Sequence, residues 1–580
     1  MKINSTLYVL LLTLWVLNGY AQSFQWIKDG GSSENLGSND FEQVYSIATD
    51  SQKNVYVLSK VGMSSLNIDG NPKNNYDNPG STPTDVVLAS FSCDGTYRWS
   101  KIIGGSGREA ISTVQVDSQD NVYVAGRIAT CNDGSSLQPF PGRIEDDYIF
   151  TNASGACSLI FLAKFNTNGV FQYVKRPQLP TTLTDATTYT ASFNFQIQND
   201  SLYWFVWLPP GVYAEGGFTN NTTETHAPYV LKYDVEGNFV EATQLGTIQG
   251  IFSLRANYYR NATNGYYYMT FEKTQSSSTF TINGQPVENT AALVCYDNNG
   301  NYLWKRENTQ PMAGSLVFYS LDFDPQNNIY IGGKIASSSI DSFMGFTASF
   351  SAPAFVMKLN PTADNLLWAS HHDTVGSGGY GALIYNDDEV AYTGWCAGSN
   401  FTWGNQSINV TATNQGQDAL LARFDSATGA CLSLHNIPST IGSTDRGTAI
   451  AVDASGDYLV GGGFAAQIFD TYGASVNNEG GTTDFFIAKF ATEVCSVLSN
   501  ENFEEATLQV YPNPASDFVT VSVKENTSYE LYTLTGQIVK QGNFTAVNNT
   551  LVVQDLSSGC YVLQLKNEKG ISQTIKVLKE

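Results

Sequence analysis

The chain has 580 residues, with 30 Lys+Arg against 53 Asp+Glu and a formal charge of -23. Charged residues make up 14%, aromatics 13% and hydrophobic residues 42%, enough apolar material for a large core, which excludes global disorder. So acidic a chain is repelled by phosphate backbones and anionic lipid, which argues against nucleic acid as a partner.

The first residues read as an export signal. Lys2 precedes an apolar run from Leu7 to Leu17, followed by Gly19-Tyr20-Ala21. Such a run is about half the length a helix needs to cross a bilayer. The pattern predicts a signal peptide over 1–21, cut between Ala21 and Gln22. No later stretch is apolar and long enough for a transmembrane helix.

From there a unit recurs. QVDSQDNVYVAG at 115–126 is echoed by IATDSQKNVYVL at 47–58, DFDPQNNIYIGG at 322–333 and AVDASGDYLVGG at 451–462. Each predicts a strand, an Asp/Ser/Asn/Gly turn and a second strand. A third strand of aliphatic-small-basic-aromatic pattern follows, ending at Phe91, Phe165, Tyr233, Tyr296, Leu359, Phe424 and Phe490. The separations between these ends are 74, 68, 63, 63, 65 and 66 residues. A Gly-containing turn and a fourth strand come next, as in Phe91, Gly95 and Trp99. Copies three and four keep the strand pattern but lack the Asp turn.

Four antiparallel strands repeated seven times predict a seven-bladed β-propeller over 22–497. The repeat resembles the bacterial SBBP-type β-propeller repeat, with its VDSxGNVYVAG-like hairpin and FLAKYDxxG-like strand. The seventh copy lacks a fourth strand. FQWIKDGGSS at 24–33 parallels YRWSKIIGGSG at 97–107, so the N-terminal strand is predicted to join the last blade, with Trp26 beside Ile487–Phe490.

An acidic linker over 498–507 leads to a neutral tail, 508–580, with six Lys, no Arg, two Asp and four Glu. Short strands between turn signals predict a small Ig-like β-sandwich. The tail resembles the type A C-terminal sorting domain of the type IX secretion system. That likeness rests on VYPNPASD at 510–517, LYTLTGQIV at 531–539, LSSGCYVLQL at 556–565 and KVLKE at 576–580. Its signature positions here are Tyr511, Pro512, Asn513, Pro514, Gly536, Gly559, Lys576 and Lys579. The resemblance implies recognition by the type IX secretion machinery, and an extracellular or outer-membrane surface location.

In a propeller, short turns crowd one rim and the long loops 63–84, 129–157, 212–227, 275–290 and 399–416 project from the other. Binding residues concentrate on loops held by a rigid scaffold. The candidates are therefore Asp69, Tyr76, Asp77, Arg108, Glu109, Asp146, Asp147, Tyr148, Trp403 and Arg446. Cys131 and Cys157 flank one long loop and are predicted to form a disulfide. Cys396 and Cys431 fall at opposite ends of a blade and are predicted not to pair.

No HExxH, GxSxG, P-loop or Rossmann glycine pattern is present, so no catalytic residue, metal or cofactor is assigned. His371 and His372 are adjacent on a strand and point to opposite faces. The expected function is binding or adhesion to a surface protein or glycan, without covalent chemistry. A polysaccharide-acting hydrolase or lyase and a purely structural surface component are the alternatives.

Overall fold

The computed structural model describes residues 22–580 except 35–40, 63, 75, 77–83, 106–108, 130–141, 151–157, 178–190, 225, 252–253, 276–277, 310–315, 336–341, 348–353, 373–380, 411–415, 441–443, 470–472, 494, 496–509, 524–525, 535, 546–548 and 568–571. The predicted signal peptide with Ala21, the predicted Cys131–Cys157 pair, the acidic linker, Asp77 and Arg108 lie outside the described residues. Among the described residues the chain is all β, with one short 3-10 turn at Ala214–Gly216 and no α-helix. Among the described residues no helix is long and apolar enough to cross a membrane. The chain divides into two units, one ending at Cys495 and one beginning at Ser496.

Among the described residues the larger unit holds seven sets of four antiparallel strands, six of them in sequence order. In the first set, Val44–Thr49 pairs with Val55–Val61, then Asp85–Phe91, then Tyr97–Gly104. The later sets repeat this order, opening with Ala110–Val116, Ala191–Gln198, Leu254–Arg260, Leu316–Phe323, Ala382–Asn386 and Arg446–Val452. The fourth strand of the seventh set is Ser23–Gly31, and Trp26 lies opposite Lys489 of Asp484–Ala491. The expected N-terminal pairing is therefore present.

Burial explains the sequence pattern of each strand. Second and third strands such as Val55–Val61 and Asp85–Phe91 are almost wholly buried and read as continuous apolar runs, as strands covered on both faces do. Fourth strands such as Tyr302–Glu307 and Leu366–His371 are only half-buried, and their composition is correspondingly mixed.

The repeat signature is a clasp within the sets that carry the Asp turn. Asp117 accepts the backbone N–H groups of Gln119 and Asn121, each at 2.9 Å, and the Tyr123 hydroxyl at 2.9 Å. Asp50 and Asp324 do the same with Gln52, Asn54 and Tyr56, and with Gln326, Asn328 and Tyr330. The basic residue of the third strand reaches the same carboxylate: Lys358 to Asp324 at 3.0 Å and Lys489 to Asp453 at 2.7 Å. The two halves of the motif, far apart in sequence, are thus partners.

A second clasp joins neighbouring sets. The indole N–H of Trp26 donates to the carbonyl of Cys93 at 3.1 Å, Trp99 to Thr167 at 2.9 Å and Trp368 to Ser426 at 3.1 Å. The turn receiving Trp26 carries Gly95 at φ +85°, where an added Cβ would lie 2.9 Å from the indole. Glycine is required there by both the backbone and the ring beneath it.

Hydrogen bonds link the first strands and their turns from each set to the next. They run from Ser51 to Asp120, Ser118 to Asp200, Gln198 to the Arg260 carbonyl, and Asn261 to Asn327. They continue from the Tyr385 N–H to Asp322, from Asn386 to the Gly456 carbonyl, and from Thr49 to the Val452 carbonyl. The last of these joins the first set to the seventh.

A disulfide bonds Cys93, in the first set, to Cys495, beyond the last strand, across a sequence separation of 402. Cys295, Cys396, Cys431 and Cys560 are free thiols, so the expected absence of a Cys396–Cys431 bond holds.

The smaller unit comprises a three-stranded and a four-stranded antiparallel sheet. Both contribute to one core that includes Val519, Leu531, Phe544, Leu551, Leu563 and Val577.

Candidate functional site

Two long loops of the larger unit carry hairpins that pair with strands of the sets. Within loop 129–157, Gly142–Ile144 and Tyr148–Phe150 form a hairpin that adds to the outer edge of the first set, with Arg143 opposite Gly104. Asn67–Ile68 and Asn71–Pro72 add likewise to Ser23–Gly31. An outer strand offers unpaired backbone groups, and these hairpins cover part of that edge.

Several candidate residues therefore already have partners. Asp69 pairs with Lys28 at 3.4 Å, and Lys101 bridges Glu145 at 3.5 Å and Asp147 at 2.8 Å. The Tyr76 ring lies 5.1 Å from the Arg143 guanidinium, and its backbone N–H donates to Asp85 at 3.0 Å. Tyr148 packs on Phe150 and Phe171, while Asp146 is exposed at the hairpin turn. Arg446 lies over the Phe41 ring at 4.5 Å. Trp403 is wholly buried, between His372 and Phe424, and is a core residue rather than a surface anchor. Glu109 is also buried. The structure does not gather these residues into one site.

Buried acids recur where the sets meet. Asp85, Asp418 and Asp484 begin third strands, and Glu109, Asp445 and Glu42 precede the first strand of the following set; all six are buried. The backbone N–H of Glu109 donates to the Thr84 carbonyl, that of Asp445 to Gln417, and that of Glu42 to the Thr483 hydroxyl. Glu42 also accepts the Ser32 hydroxyl at 2.5 Å and the Ser32 N–H at 2.8 Å. Its carboxyl faces that of Asp484, and the contact is satisfied when one of the two carries a proton. Gly31 and Gly104 make room: an added Cβ would lie 2.1 Å from Asp484 and 1.8 Å from Asp85. This close approach explains the Gly-Gly pair shared by 24–33 and 97–107.

Burial raises Asp484 to about 7, against the pull of hydrogen bonds from Glu479 and Glu42, and raises Asp85 to about 7. Burial, with the charges of Asp69 and Glu479, raises Asp29 to about 7. Burial pushes Glu42 well above the carboxylate range. An unfolded chain releases these protons near pH 4, whereas the folded state holds those of Asp29, Asp85 and Asp484 to about pH 7. Their contribution is present below pH 4 and lost as pH rises to about 7. Urea midpoints should therefore be higher at pH 5 than at pH 8, and Asp484→Asn should reduce that slope; a midpoint rising with pH would contradict the protonated pair.

A cavity of about 300 Å³ is lined from the first strand of every set, including Ser46, Thr113, Asn194, Asn257, Ser320, Leu383 and Thr448. Much of its polar lining serves structure: Thr113 bonds Asn194 at 2.5 Å, and Asn194 donates to the Tyr258 carbonyl at 3.0 Å. Gln196 and Tyr259 also line a second cavity of about 270 Å³, at the short-turn rim. It adds Gln198, Arg260, Asp322, Phe323 and Tyr385, which no sequence motif pointed to. The only hint was the missing Asp turn of copies three and four.

His372 is buried, and its Nε2 accepts the Ala354 N–H at 2.8 Å, which gives it a structural partner. Among the described residues, no group of three or more His, Cys, Asp or Glu is placed to hold a metal ion.

In the smaller unit, the two ends of its signature bind each other. Asn513 accepts the Leu578 N–H at 2.8 Å and donates to the Lys576 carbonyl at 2.7 Å. The Ala515 N–H donates to Leu578, and the Glu580 N–H to Ala515. Pro512 and Pro514 follow cis bonds on either side of Asn513. Gly536 takes φ +83° in a hairpin turn, and Gly559 opens the strand that pairs with Ser572–Lys579. Lys576 is exposed and Lys579 half-buried on that strand. Phe518 and Val552, directly opposed across two strands, are both exposed, as is Tyr511.

Comparisons with known proteins bear mainly on this smaller unit. Solved structures similar to the chain include quinohemoprotein alcohol dehydrogenase from Comamonas testosteroni, at 11% identity, covering 86% of this chain and 79% of that one, with a TM-score of 0.34. A protein of unknown function from Dyadobacter fermentans shares 9% identity over 80% of this chain and 98% of its own, with a TM-score of 0.35. Likenesses this distant carry no argument about activity. A search of curated proteins found no match to the sequence. Residues 509–580 match the family described as the secretion system C-terminal sorting domain. The smaller unit is a type IX secretion sorting domain, and the protein is exported to the cell surface or the extracellular space.

Proposed function

We propose that the larger unit is a seven-bladed β-propeller closed by its N-terminal strand, and that it acts outside the cell as a non-catalytic binding module. The sorting domain, read here as an Ig-like sandwich, delivers it. The observation that carries the reading is the cavity of about 300 Å³: strands from all seven sets line it, as the innermost strands of a propeller do. The cycle of junction hydrogen bonds and the SBBP-like repeat support the same architecture. A rigid disc with a polar central opening is suited to recognition.

The enzyme reading lacks a second working carboxylate. Asp322 and Asp324 both line the rim cavity, but Asp324 is committed to Asn328, Tyr330 and Lys358. Exported full-length protein should retain a glycan or a surface protein in a pull-down from intact cells, and should release no product from a polysaccharide panel. Product release with turnover would overturn the non-catalytic reading.

A further inference from the structure

The rim cavity lies where the repeat departs from its own pattern. In the first two sets the first hairpin spans the residues between Thr49 and Val55, and between Val116 and Val122. In the third set Gln198 pairs directly with Ser201, leaving only Asn199 and Asp200 in the turn, both with positive φ. The shorter hairpin leaves a notch flanked by the first strands of the fourth and fifth sets and reached by Tyr385 of the sixth.

We propose that this notch binds a neutral hexopyranose unit of a glycan. The inference rests on the binding reading above and gives that reading a ligand class. Planar hydrogen-bonding groups, the amide of Gln198 and the carboxyl of Asp322, match pairs of adjacent sugar hydroxyls, while the Gln196 amide is held by the Arg260 backbone. The rings of Tyr259, Phe323 and Tyr385 match the C–H faces of a pyranose. The volume, about 270 Å³, is that of one sugar ring with room for a linkage. Gln196 and Tyr259 line both this notch and the larger cavity, so the two lie next to each other.

The groups keep capacity for a ligand. One Asp322 oxygen accepts the Tyr385 N–H at 2.8 Å and the other the Phe323 N–H at 2.8 Å, so each retains an acceptor site. Gln198 spends one amide hydrogen on the Arg260 carbonyl at 3.1 Å and keeps another. The Arg260 guanidinium is drawn to Gln198 and lies 4.0 Å from the Tyr203 ring, while its buried Nε has no acceptor in the protein. With Arg260 and Asp322 on one wall and Asp324 neutralised by Lys358, the notch has no excess of either charge to select an ion.

The test is calorimetry and saturation-transfer NMR on the exported full-length protein with methyl glucoside, methyl galactoside, methyl mannoside and N-acetylglucosamine. At least one should bind, and Tyr385→Ala and Gln198→Ala should each weaken it about tenfold, the scale of losing a stacking or hydrogen-bonding partner. Asp322→Asn should do the same, with melting curves separating lost binding from lost folding. Asp364→Asn, at an exposed turn away from the notch, should leave affinity unchanged. No binding of any of these sugars, or binding unaffected by Tyr385→Ala and Gln198→Ala, overturns the inference. If the protein still captures a surface protein in that case, the binding reading survives. If a bound oligosaccharide is cleaved, the site stands and the non-catalytic reading falls.

Discussion

Replacing Lys489 by methionine is expected to destabilise the larger unit by about 3–5 kcal/mol, the usual loss when one partner of a buried ion pair is removed. Lys489 and Asp453 are each about 1% exposed and 2.7 Å apart, and Asp457 lies 3.5 Å from the same ammonium. Without Lys489, the Asp453 carboxylate keeps the backbone N–H groups of Ser455 and Asp457 but loses its counter-charge. The strand carrying Lys489 is also the one that receives Trp26, so the fault falls where the N-terminal strand joins. Equilibrium urea unfolding, followed by tryptophan fluorescence, measures the loss. Lys232→Met is the control, because Lys232 and its partner Glu241 lie nearer the surface, where pairs contribute about 0–1 kcal/mol. Equal losses for the two variants would contradict the buried clasp.

Replacing Cys93 and Cys495 together by serine is expected to cost about 3–5 kcal/mol. A cross-link stabilises chiefly by limiting the unfolded chain, and the loop here, at a separation of 402 residues, is long. The bond also holds the turn whose Cys93 carbonyl accepts the Trp26 indole N–H. One covalent bond and one strand pairing thus secure the two ends of the larger unit to opposite neighbours. Thermal melts of the double variant, and of wild-type protein with and without reductant, should show the same downward shift. An unchanged melting point on reduction would mean that the bond has no part in stability.

The repeat was legible because each of its parts has a local or nearest-neighbour task. Asp117 must cap its own turn, Gly95 must take a left-handed conformation, and Trp26 must reach the next turn, so the same residue types return in each copy. The sorting tail was legible for a similar reason: Asn513 and the final strand bind each other. Such signatures report the scaffold, and none of them marks a ligand.

The candidate site was far less legible. A long, polar loop reads as exposed, yet Gly142–Ile144 and Asn67–Ile68 turn back to cover neighbouring strands. Trp403 reads as a surface aromatic but fills a core between His372 and Phe424. Gln198, Arg260, Asp322 and Tyr385 come from four different sets and share no motif; they meet only at the cavity they line.

The sequence by itself determined the all-β class, the period, the place of the N-terminal strand and the sorting address. Each depends on contacts that recur from copy to copy or lie within one small unit. Tertiary structure alone decided which acids share buried junctions, that Cys93 meets Cys495, and where a cavity opens. Those outcomes depend on residues hundreds of positions apart arriving side by side, and no periodic pattern encodes that arrival.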